Sequence, residues 1–126
     1  MIKYRIKQIG DKYYCQKKII FWRNIRVLEC NYGDYDGLSK LLVKYEEHID
    51  NHFPNGESLK DVELRIRDFI NYLKENYDGK TIGIVAHRAP QLALEVILNN
   101  KNWIEAINND WRKTGAWQPG WEYEYE

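Results

Sequence analysis

The stretch that most restricts how this chain can fold is "TIGIVAHRAPQLALEVILN", residues 81–99. From Thr81 to Ala86 it is short, mostly apolar and β-branched, which suits a strand buried on both faces. The run stops at His87 and Arg88. Pro90 follows, a residue that fits the first position of a helix, where a missing amide leaves nothing unsatisfied. "QLALEVILN" is apolar on most sides and predicts a buried helix. Strand, tight turn and buried helix are half of a βαβ unit. The expected class is therefore α/β, with a largely parallel sheet covered on both faces.

The remaining elements are read from period and turn chemistry. Leu59, Val62, Ile66, Phe69, Ile70 and Leu73 form one apolar stripe and predict a helix. Ser58 is its N-cap, Asp61 completes a capping box, and "DGK" at 78–80 is the stop. Leu38, Leu41, Leu42, Tyr45 and Ile49 recur at three and four residues and predict another helix. "NYGDYDG" (31–37) and "NHFPNGES" (51–58) are loops, "KKIIFW" (17–22) is a strand, and residues 4–14 suggest a short helix. "WEYEYE" (121–126) alternates as an edge strand with exposed carboxylates would. Trp103, Trp111, Trp117 and Trp121 read as packing in the core or at an interface. At 126 residues the chain has the length of one domain, 1–126.

Charge narrows the function classes. Nineteen basic and nineteen acidic residues cancel, so no overall field draws the protein to nucleic acid or to an anionic membrane. Anion binding has to come from a local cluster. Cys15 and Cys30 form no CxxC pair and no metal-ligand spacing, and read as free thiols of a reducing cytoplasm. The start, "MIKYRIKQIG", lacks the apolar core of a signal peptide, and no run is long enough to span a membrane. A cytoplasmic protein without metal or cofactor is expected.

Within that frame, His87 falls at the carboxyl end of a strand and just before a helix N-terminus, where free amides and the helix dipole favour an anion. With Arg88 beside it, the chemistry suits phosphate better than metal. A structural histidine satisfied by its surroundings fits the same pattern. Glu29 follows a short apolar pair and opens into a glycine turn. It can sit partly desolvated at the rim of the same cleft and donate a proton, or it can be a surface glutamate.

"LECNYGDYDG", "PNGES" and "IGIVAHRAP", in that order, resemble the histidine phosphatase superfamily, also called phosphoglycerate mutase-like, over residues 26 to about 98. The resemblance implies a three-layer α/β/α sandwich with a mostly parallel central sheet. It also implies cleavage of phosphomonoesters through a phosphohistidine, without a cofactor. By the same resemblance Glu29 is the proton donor to the leaving oxygen, and His87 is the second histidine, which holds the phosphoryl oxygens. "YRIKQI" (4–9) is similar to the family's "R-A-x-Q-T" and would make Arg5 a phosphate clamp, although Ile6 and Ile9 replace the alanine and threonine; a surface arginine is the other reading. Arg88 joins His87 and Arg5 as a candidate phosphate-binding residue.

The family's "R-H-G", source of the nucleophilic histidine, has no counterpart. The chain's three histidines are His48, His52 and His87. The first two lie after Glu29, lack an adjacent arginine or glycine turn, and read as solvated. The expectation is a domain truncated at its N-terminus, its sheet short of a central strand and its exposed surface open to a homodimer. Two functions follow. One is a histidine phosphatase-like domain for phosphomonoester hydrolysis, inactive or strongly impaired as this chain. The other is a non-catalytic remnant that binds phosphate, a phosphorylated small molecule or a protein. An unrelated nucleotide-binding α/β module is a third reading, opposed by the lack of a glycine-rich phosphate loop.

Overall fold

Alternation, not helical period, governs the start of the chain. Ile2, Tyr4 and Ile6 alternate with Lys3, Arg5 and Lys7, and the segment is a strand, β1 (Ile2–Ile9). It pairs antiparallel with β2 (Lys12–Arg23), from Ile2 opposite Ile20 to Ile9 opposite Lys12. The helix expected over 4–14 is thus replaced by a strand pair. Gly10 and Asp11, between the two strands in the sequence, lie outside the described residues. "KKIIFW" lies inside β2, as its composition predicts. The computed structural model describes residues 2–9, 12–23, 26–38, 43–115, 120 and 122–124.

The third described strand, β3 (Ile82–Val85), runs parallel to β2, with Ile20 opposite Ile82 and Arg23 opposite Val85. The order is β1-β2-β3, so among the described residues the sheet is mixed and not mostly parallel. β3 is also less covered than a strand buried on both faces would be: Val85 is 51% exposed.

Helix α1 (Leu59–Asn76) forms where the stripe predicts. The Ser58 hydroxyl accepts from the Asp61 amide at 3.1 Å and the Asp61 carboxylate accepts from the Ser58 amide at 3.2 Å. Leu59, Val62, Ile66, Ile70 and Leu73 are buried; each such aliphatic side chain contributes about 1.5–3 kcal/mol. α1 packs on α2 (Arg88–Leu98), and α2 packs on α3 (Trp103–Asn108). α2 starts at Arg88, so Pro90 is its third residue and not its first. It remains in the first turn, where amides have no intrahelical acceptor. A short α4 (Trp111–Thr114) follows, closed by Gly115 at φ 71°.

Two expected elements are not seen among the described residues. Across 38–49 the described residues give only a 3-10 turn, Tyr45–His48, and Lys44 before it is extended; residues 39–42 lie outside the described residues. Tyr45 instead packs edge-on against Tyr32 and Phe53, tertiary packing that overrides a local period. At the C-terminus, residues 122–124 are not a strand; 121, 125 and 126 lie outside the described residues. Tyr123 donates to the buried Glu95 of α2 at 2.6 Å, tying that tail to the helix.

Candidate functional site

Two of the loops read from turn chemistry interlock. Asp34 N–H donates to Pro54 C=O at 2.7 Å, and Glu57 N–H to Asn31 C=O at 2.8 Å. Asn55 bridges both oxygens of Asp34 at 3.0 and 3.1 Å. Gly33 sits at φ 56°, in the left-handed region, and a Cβ there would lie 1.9 Å from the Pro54 carbonyl oxygen. A Cβ on Gly56 would lie 2.5 Å from the Asn31 carbonyl oxygen. Both positions therefore require glycine.

The interlock holds the segment around Glu29 against the start of α2. His87 N–H donates to Leu28 C=O at 3.0 Å, and Cys30 N–H donates to His87 Nδ1 at 3.2 Å. The residues on either side of Glu29 thus grip His87 by its backbone and by its ring. His87 is the N-cap of α2 but makes no side-chain cap bond, because its Nδ1 is turned to Cys30. A neutral imidazole accepting at Nδ1 carries its hydrogen on Nε2. His87 is exposed, so that Nε2–H is available to an acceptor outside the fold.

Glu29 itself is exposed, not partly desolvated as expected for a rim carboxyl. Its backbone is held by Arg65 of α1, whose Nη2 donates to Glu29 C=O at 2.6 Å and whose Nε donates to Val27 C=O at 3.3 Å. The same guanidinium pairs with Glu57 of "PNGES". Glu57 also accepts from the Asn31 amide at 2.9 Å. That glutamate is thus a strut between α1 and the glycine loop.

Tyr32 fills the space behind the site. Its hydroxyl accepts from the Ala89 amide in the first turn of α2 at 3.2 Å. Burial pushes the phenol upward, with Tyr45 and Cys30 adding to the shift, so it stays protonated. One helix amide that could have met an anion is therefore taken by the protein itself.

The other sequence-predicted residues lie as follows. Arg88 turns to Asp110, with Nε donating to Oδ2 at 2.6 Å, and stacks 4.1 Å from the centre of the Tyr45 ring. Arg5 falls in β1, and its side chain lies outside the described residues. His52 is exposed and pairs with Asp61 at 3.0 Å, but His48 is half-buried, stacked 4.2 Å from Phe53, and not simply solvated. Arg65, Glu57, Tyr32 and Asp110 were not singled out in the sequence. Glu57 and Tyr32 carried a signal, their places in "PNGES" and "LECNYGDYDG".

Among the described residues no group of three His, Cys, Asp or Glu could hold a metal ion, and no helix is long and apolar enough to cross a membrane. In comparison with known proteins, a family model of the histidine phosphatase superfamily (branch 1) matches residues 15–115. No curated protein and no solved structure matches this chain.

Proposed function

Because the chain belongs to the histidine phosphatase superfamily, we propose that the loop around Glu29 and the start of α2 form a site for a phosphomonoester. His87 donates from Nε2 to a phosphoryl oxygen, and Glu29 gives a proton to the leaving oxygen. The proposed architecture is the family's α/β/α sandwich, with β1–β3 in its sheet and α1 and α2 in one helical layer.

The observation that carries this reading is the Cys30 amide on His87 Nδ1. It joins the two segments and orients the ring before any ligand arrives, and preorganised donors of this kind stabilise charge on a phosphoryl oxygen. The same bond leaves no lone pair on the outward nitrogen, so His87 in this state donates and does not attack. Covalent catalysis needs a second imidazole aimed at phosphorus, and these 126 residues contain no Arg-His-Gly sequence. The function proposed is a phosphatase-like domain whose turnover as this chain is negligible and whose binding of phosphate or a phosphorylated small molecule is retained. The non-catalytic reading is favoured by the lack of an Arg-His-Gly sequence in these 126 residues.

Two measurements test it. Inorganic phosphate titrated to tens of millimolar should shift the His87 ring resonances saturably, and Glu29→Gln should leave that binding in place. Aryl phosphate hydrolysis should stay near background. An unmoved His87 ring would refute the site. Robust hydrolysis abolished by His87→Ala would refute the claim of negligible turnover.

A further inference from the structure

We propose a second anion site, separate from the Glu29–His87 site: the hollow between residues 43–46 and α4, which takes a small ligand through its phosphate group. The hollow measures about 310 Å³ and its walls include Lys44, Tyr45, Glu46, Arg88, Arg112 and Lys113. Neither Glu29 nor His87 is among the lining residues. Its size is at the lower end of what small-molecule sites occupy and ample for a phosphorylated small molecule.

Charge selects the ligand's sign. Four cations line the hollow against the carboxylate of Glu46. Asp110 beneath is 1% exposed and pairs with both arginines, to Arg88 at 2.6 Å and to Arg112 at 3.0 Å. Glu47 faces Lys44 at 3.5 Å from the exposed side. Counting all seven groups leaves one positive charge beside a recess, in a protein with no net charge of its own.

Geometry selects the class. Each arginine gives Asp110 one side-chain hydrogen bond, Nε from Arg88 and Nη1 from Arg112. A guanidinium has five N–H groups, so four on each are not engaged with that carboxylate. Arg88, with its side chain only 10% exposed, stacks on Tyr45, and Arg112 stacks on Trp111 at 4.8 Å from the ring centre. Both planar forks are therefore fixed in advance, which lowers the ordering cost of binding. Paired arginine forks match the oxygens of a phosphate better than a lone point charge does.

The probe is sodium pyrophosphate at constant ionic strength, followed by NMR of the Trp111 indole N–H and the arginine Nε–H signals. Saturable shifts are expected, with a Kd of about 1 mM or tighter. Arg112→Gln and Lys113→Glu should each weaken binding about tenfold, the effect of one charge-assisted contact. Glu46→Gln should strengthen it, and His87→Ala should leave it unchanged. Lys113 is exposed, so Lys113→Glu decides the matter even where Arg112→Gln destabilises the fold. No saturation by about 20 mM, an undiminished affinity in Lys113→Glu, or loss in His87→Ala would each overturn the proposal. Because one titration reads the His87 ring and the other reads Trp111 and the arginines, failure at one site is distinguishable from failure at the other.

Discussion

Asp110→Asn isolates a single charge. The amide keeps the shape of the side chain and an oxygen for the Arg112 backbone amide, which the carboxylate now accepts at 3.1 Å. What it removes is the counter-charge of Arg88, a guanidinium 10% exposed against a carboxylate 1% exposed. Leaving one member of a buried pair without its partner costs about 3–5 kcal/mol. Arg112, at 29% exposure, adds at most about 1 kcal/mol. For a chain of this length each kcal/mol lowers Tm by about 3–6 °C, so the expected drop is on the order of 10–30 °C. Thermal and urea unfolding, followed by near-UV circular dichroism of the tryptophans, give the magnitude. Arg88→Met/Asp110→Leu, which removes both charges, should recover much of the loss. A drop below about 3 °C in the single variant, or a double variant no better than the single, would refute the assignment of Asp110 as a buried counter-ion.

Three further outcomes are expected. Ser58→Ala removes the acceptor for the Asp61 amide and should cost about 1 kcal/mol in urea unfolding, whereas Ser58→Asp should cost less. Gly56→Ala presses a methyl group into backbone atoms at 2.5 and 2.7 Å; it should destabilise by about 1–3 kcal/mol and speed hydrogen exchange at the Cys30 amide. At Glu95 burial alone would raise the carboxyl, but hydrogen bonds from Lys101, Tyr123 and Asn99 outweigh it and hold the group below its usual 4.5. A lowered folded pKa means stability that is present above pH 4.5 and lost as pH falls through the folded value. The stability difference between the wild-type protein and Glu95→Gln should accordingly shrink on acidification from that point, and a constant difference would contradict it.

The parts of the fold legible in the sequence are those whose determinants are local. Ser58, Asp61 and the stripe from Leu59 to Leu73 act within one helix, and α1 forms where they say. The strand-turn-helix at 82–98 is likewise set by neighbours in the chain. The stripe from Leu38 to Ile49 misled because Tyr45 answers to Tyr32 and Phe53, not to its own turn. At the site, Glu29 and His87 were visible as residue types at loop ends. Their supports were not: Arg65 reaches Glu29 across 36 residues, Tyr32 reaches Ala89 across 57, and Arg88 reaches Asp110 across 22. Nothing in a single sequence marks an arginine within a helix as the one that will hold a distant carbonyl.

The tight fit of Gly33 and Gly56 also limits what can be transplanted. Each loop is the mould of the other, backbone lying on backbone. Borrowing one from a foreign protein without its mate would part the seam at Asn31 and Pro54 and slacken the grip on the imidazole. The two loops have to travel together as a cassette, although thirteen residues of other sequence, 38–50, separate them.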